Sequence, residues 1–144
     1  MSNKGYEFLE HISDVQVRSW GPNLKEAFSQ AALGLFDTIT EIKNVEMKLS
    51  KSIKITSEDK ESLLFDFLTE LLYLFDTEDL VFSYIEVLKI KKETGNFSLE
   101  ASLKGDIYDP EKHSIGTEVK AITYSYMKIE ELQEKVVIEV IFDI

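Results

Sequence analysis

From residue 80 onward the chain supplies strand after strand with little sequence between them. "LVFSYIEVLKI" (80–90) and "NFSLEASLKG" (96–105) meet at "ETGN" (93–96), a hairpin turn by composition. "VKAITYSYMKI" (119–129) and "EKVVIEVIFDI" (134–144) are joined through "EELQ". A parallel pair needs a crossover of a dozen or more residues, whereas an antiparallel pair needs only a tight turn. These strands therefore pair antiparallel. The longer stretch "DIYDPEKHSIGTE" (106–118) carries Pro110 and Gly116 and reads as a loop.

The first half supplies the helices. "DVQVRSW" (14–20) alternates as a half-buried strand, and "GPN" (21–23) turns the chain. Asn23 followed by Glu26 has the form of a capping box, a helix start worth about 1 kcal/mol. Leu24, Ala27, Phe28, Ala31, Ala32, Leu35, Phe36 and Ile39 then recur at helical spacing and face a core. Gly34 inside that helix costs about 1 kcal/mol against Ala, which predicts close packing there. "VEMKLSKSIKITS" (45–57) is extended and amphipathic. Residues 58–79 form a second helix with Leu63, Leu64, Phe67, Leu68, Leu71, Leu72 and Phe75 over a wide apolar arc. Acids at Glu58, Asp59 and Glu61 suit its start, whereas Asp76, Glu78 and Asp79 run against the helix dipole at its end. The expected architecture is α+β: two main helices packed on a largely antiparallel sheet, in a single domain spanning 1–144.

Composition narrows the function. No apolar run approaches the roughly 20 residues of a membrane span. The start "MSNKGYEFLE" has no secretory or transit character, which points to a cytoplasmic location. There is no Cys, so neither disulfides nor thiolate zinc sites arise. Acids outnumber bases 27 to 16, for a net charge of −11. That balance disfavours direct nucleic-acid binding and favours a basic protein partner or a cation. The basic run "KIKK" (Lys89 to Lys92) reads as a solvated strand edge guarded by lysines.

No glycine-rich phosphate loop, G-x-S-x-G elbow or H-E-x-x-H is present, and two His cannot build a multi-His metal site. Acids remain. "HISD" places His11 and Asp14 at a strand entrance, and "VIFDI" places Asp143 one residue before Ile144 at the end of another strand. On pattern alone His11 is a structural hydrogen-bonder, Asp14 a turn residue and Lys120 a solvent-facing strand residue. Asp143 lies on the opposite strand face from Val136, Ile138, Val140 and Phe142, so it need not enter their core.

Read together, "YEFLEHISDVQVRSWG", "LKEAFSQAALGLFDTIT", "LLFDFLTELLYLFDTEDLVF", "KH…VKAITYSYM" and "VIFDI" resemble the archease family in order and spacing over essentially the whole chain. The most specific pieces are E-H-x-x-D, L-L-Y-L-F-D-T-E, V-K-A-x-T-Y and the ending on Asp-Ile. The resemblance implies a small acidic accessory protein rather than an enzyme. Its partner would be the tRNA-splicing RNA ligase, which joins 5′-hydroxyl to 2′,3′-cyclic phosphate ends. The accessory protein would promote ligase guanylylation, metal loading and multiple turnover, meeting GTP and RNA through the ligase.

It also implies a divalent-cation site at Asp14, Asp143 and Ile144, with calcium as the ion and Mg2+ or Mn2+ as alternatives. A ligand set made only of hard oxygens suits those ions. A tag after Ile144 should then impair cation binding more than a tag at the other end. Lys120 matches the family's V-K-A-x-T-Y motif and is expected to contact the ligase or a nucleotide phosphate. His113 and Glu118 match the neighbouring pattern as further contacts, and His11 would orient the Asp14 loop. The family commonly reads H-T-A-D-I-G where this chain has His-Ile-Ser-Asp-Val-Gln (11–16), and commonly has His where Ser125 stands. With Gln16 and Ser125 in their places, this chain lacks that Gly and that imidazole. The alternative function is a free-standing metal-dependent hydrolase using the same carboxylates. A third reading, a chaperone that binds RNA directly, is opposed by the net charge.

Overall fold

The structure is a computed structural model that describes residues 3–9 and 14–144. The elements run β1 (Gly5–Leu9), β2 (Asp14–Gly21), α1 (Leu24–Ile39), a 3-10 turn (Ile42–Asn44), β3 (Leu49–Ser57), α2 (Lys60–Glu78), β4 (Leu80–Glu93), β5 (Asn96–Ile107), β6 (Ala121–Glu131) and β7 (Val136–Asp143). All strand pairs are antiparallel. The α+β class holds, and the strands divide between two sheets, ordered β1-β2-β7-β6 and β3-β5-β4.

The division follows from α1. Ala27, Phe28, Ala31, Ala32, Leu35, Phe36 and Ile39 are buried as the spacing predicts, and buried Ser29, Gly34 and Thr38 widen that arc, while Glu26, Gln30, Leu33 and Asp37 on the opposite side stay partly exposed. A buried arc this wide reaches more than one sheet. It packs on β2 of the first sheet and on β4 of the second. The buried hydroxyls are satisfied: Thr38 Oγ1 donates to the Gly34 carbonyl (2.8 Å), and Ser29 Oγ accepts from the Val87 amide (3.0 Å). Phe36 meets Phe82 edge-on at 5.5 Å, and Phe28 stacks on Phe67 of α2 at 6.2 Å. Gly34 behaves as expected: a Cβ there would lie 3.0 Å from Val17 Cγ1, so the missing side chain lets α1 settle onto β2.

The caps follow the sequence. Asn23 Oδ1 accepts from the Glu26 amide (3.0 Å) and Asp59 Oδ1 from the Ser62 amide (2.7 Å). The awkward acids ending α2 have a partial explanation. Asp79 is the C-cap, in the left-handed region at φ 58, where Asp is tolerated better than most residues. Its amide closes the helix, and its carbonyl accepts from Tyr108 (2.7 Å). Glu78 pairs with Lys51 at 3.9 Å.

β1 was not announced by the sequence pattern, because its alternation of Tyr6 and Phe8 spans only five residues. It is tied in by a charge ladder across the first sheet. Arg18 donates to Glu7 on β1 (3.1 Å) and, through Nε and Nη2, to Glu139 on β7 (3.0 and 2.9 Å).

Candidate metal centre

β2 and β7 lie side by side in a register that pairs Asp14 with Asp143 and Val15 with Phe142. Burial fixes that register. Val17, Ile138, Val140 and Phe142 are fully enclosed, and a one-residue slip would turn them out to solvent. Two residues 129 positions apart are thereby held opposite one another. Side chains of directly opposed residues leave a sheet on the same side, with Cβ atoms about 4.5–5.5 Å apart. Asp14 is half-buried and Asp143 exposed.

The third strand entering this corner is β6. Ala121 pairs with Asp143, and the Lys120 amide donates to the Asp143 carbonyl (2.7 Å). The sequence motifs around 14, 120 and 143 thus converge on one end of one sheet. Ile144 is partly buried and packs against the core, which anchors the main chain just past Asp143. His11 lies outside the described residues.

Lys120 is delivered by the 108–120 segment, which is stitched to both helix ends. Tyr108 bonds the α2 cap, Thr40 Oγ1 donates to the Ser114 carbonyl (2.7 Å), and the Gly116 and Thr117 amides donate to the Ile39 and Thr38 carbonyls (3.0 and 2.8 Å). Gly116 has no room for a side chain: a Cβ would lie 2.6 Å from the Ile39 carbonyl oxygen and closer still to that of Thr38.

Within this segment His113 has a structural place. It is only 3% exposed, and its Nδ1 accepts from the Asp109 amide (2.9 Å). The imidazole holds the loop together and shows little of its surface. Glu118 is exposed. Its charge adds to burial in holding the Asp76 carboxyl above the usual carboxylate range.

A cleft of about 370 Å3 opens beside Asp14, lined also by Asp37, Thr38 and Thr117, with Phe8, Leu9 and Val15 as its apolar part. Asp37, Thr38 and Thr117 were not singled out in the sequence. The available signal was the polar pair Asp37-Thr38 near the end of α1's apolar stripe. Asp37 is fixed at both oxygens, accepting from the Tyr6 phenol (3.1 Å) and the Ile42 amide (3.2 Å).

Burial, then the Asp37 charge and hydrogen bond, push the Tyr6 phenol up to about 12. An unfolded tyrosine ionises near 10. Between roughly pH 10 and 12 the folded state therefore keeps a proton that the unfolded state has lost, so this stabilisation is complete below pH 10 and falls as pH rises through 12. Tyr6→Phe should cost about 1 kcal/mol at neutral pH by urea denaturation. It should also flatten the alkaline decline; an unchanged decline would show that another group governs it.

Among the described residues no three His, Cys, Asp or Glu side chains gather as a metal cluster. The corner instead offers two opposed carboxylates and main-chain oxygens of the segment ending β7. That donor set is hard and oxygen-only, which fits Ca2+, Mg2+ or Mn2+. Like charges directly opposite across a sheet are destabilising, and a cation between them removes the penalty.

Residues 6–144 match the Archease protein family (MTH1598/TM1083). The chain is 46% identical over 129 residues to the protein archease of Pyrococcus furiosus, covering 90% of each chain. It is 40% identical over 141 residues to that of Methanosarcina acetivorans, covering 98% of this chain and 97% of the other. A solution structure of a Methanobacterium thermoautotrophicum protein, 33% identical, superposes with a TM-score of 0.83 over 97% of this chain and 99% of that one. A crystal structure of a Thermotoga maritima archease, described as a possible chaperone, shares the fold at 21% identity and a TM-score of 0.59, covering 94% of each chain. With its family match spanning nearly every residue, the chain belongs to the archease protein family.

Proposed function

We propose that this protein is an accessory factor of the tRNA-splicing RNA ligase. It acts by protein–protein contact at the corner formed by Asp14, Asp143 and Lys120, and promotes guanylylation, metal loading and repeated turnover of the ligase. The observation that carries this reading is the in-register opposition of Asp14 and Asp143, with the Lys120 amide on the Asp143 carbonyl. Asp14, Asp143 and a main-chain oxygen of Ile144 would hold the divalent cation. When bound, the ion supplies a positive centre with open positions that a partner's carboxylate or phosphate can fill. The protein's own contribution is to hold two carboxylates rigidly at a sheet end and to present Lys120 beside them. The hydrolase reading has less support. It needs a general base beside the carboxylates, and among the described residues the one imidazole, that of His113, is buried with its Nδ1 engaged.

The test incubates the cognate ligase with GTP, Mn2+ and broken tRNA, and counts joined ends per ligase. The wild-type protein should raise both guanylylation and turnover. Lys120→Ala should abolish the gain while the variant keeps its cation-dependent thermal shift. No gain from the wild-type protein would remove the reading.

A further inference from the structure

The basic run in β4 has lysine neighbours from outside its strand. A cleft of about 380 Å3 lies between the start of α1 and the β4–β5 hairpin, and Lys25, Lys60, Lys89 and Lys92 all line it. They come from three separate parts of the chain: the first turn of α1, the first turn of α2 and the far half of β4. No acid lines this cleft, although acids outnumber bases 27 to 16 in the chain. Edge protection alone would call for lysines along β4, not for two more from helix starts on the same hollow. Lys60 pairs with Glu131 and Lys89 with Glu100 (3.5 Å), while no ion pair among the described residues engages Lys25 or Lys92.

The floor is apolar, from Ile90 and Phe97, with Leu88 standing 53% exposed at its side. β4 is the outer strand of its sheet. Its Val87 amide is taken by Ser29 of α1, and the strand then continues to Glu93. We propose that this cleft binds an extended acidic segment of a partner protein, with carboxylates on the four lysines and an apolar side chain against Leu88, Ile90 and Phe97. Such a segment would also run along the β4 edge and pair with its main chain.

Charge complementarity argues for an anion, and the floor argues for a peptide. Single-stranded nucleic acid is held by bases stacked on open aromatic faces. The cleft's aromatic ring, Phe97, already has the Lys60 and Lys92 ammonium groups 5.9 and 6.0 Å from its centre. The proposal is independent of the ligase reading and is tested without the ligase.

The probe is a fluorescein-labelled peptide of alternating Glu and Leu, followed by anisotropy at low and high salt. It should bind the wild-type protein, and salt should weaken it. Lys89→Glu/Lys92→Glu should lower its affinity about tenfold or more through loss of the complementary field. Lys89→Ala/Lys92→Ala should lower it in the same direction by less. Lys43→Glu carries the same type of charge change past the far end of α1, a helix about 24 Å long with Lys25 in its first turn, and should stay within about twofold of wild type because exposed charges that far apart are screened. Equal affinity of the wild type and the double Glu variant would overturn the proposal. So would tighter binding of an oligouridylate or inorganic triphosphate with the same sensitivity to Lys89 and Lys92, which would assign the cleft to a phosphate ligand.

Discussion

Asp143→Asn should raise the thermal stability of the cation-free protein and erase its response to calcium. Both effects come from the β2–β7 register, which sets the Asp143 carboxylate directly across from Asp14. Without a cation the opposed charges repel, and neutralising one should recover a few tenths to about 1 kcal/mol. With a cation, the same change would remove one of the two carboxylates proposed to hold it. Losing a residue that merely supports a ligand typically costs about 10–100-fold in metal affinity, so losing the ligand itself should cost at least that. The cation stabilises the fold only through its preference for the folded state, so the calcium-induced shift in melting temperature should vanish with the affinity. Asp143 is exposed and is the last residue of its strand, so the substitution leaves the core intact. Differential scanning fluorimetry with chelator and with calcium, alongside calorimetric titration, reads both halves. A variant that melts lower than wild type in chelator, or that titrates with wild-type affinity, removes Asp143 from the site.

The local devices of this fold were legible because they are written in neighbouring residues. The Asn23–Glu26 cap, the apolar stripes of both helices, the tight approach at Gly34 and the hairpin at 93–96 all appear as the pattern indicates. The division into two sheets was not legible. It depends on pairings such as β2 with β7 that join opposite ends of the chain, and on buried Ser29, whose hydroxyl exchanges water for the Val87 amide only when α1 docks on β4. The candidate site shows the same split. Asp14, Lys120 and Asp143 came from motifs, and the register then gave them a shared location. His113 matched a motif too, but hydrogen bonds within its own loop decide its role, and no spacing rule shows that. The lysine cleft was half visible. "KIKK" could be read, whereas Lys25 and Lys60 join it only through the packing of two helix starts.

Gly116→Ala should detach the loop that carries Lys120. The added Cβ would press on the carbonyl groups of Thr38 and Ile39, which are backbone atoms at the end of a packed helix and cannot rotate aside. The loop must lift, and lifting breaks the Gly116-to-Ile39 and Thr117-to-Thr38 hydrogen bonds together. Two such bonds at about 1 kcal/mol each, with some local strain, put the loss near 2 kcal/mol in a urea titration. The neighbouring Ile115 is 85% exposed, so Ile115→Ala should change stability by no more than about 0.5 kcal/mol and serves as the control within the same loop. The functional consequence is separate from the energetic one. Lys120 reaches the sheet corner only because the loop is clamped at Gly116 and again at the Asp143 carbonyl. Releasing the first clamp should therefore depress ligase stimulation at temperatures where the variant is still fully folded. Full stimulation by folded Gly116→Ala protein would show that the Asp143 contact alone positions Lys120.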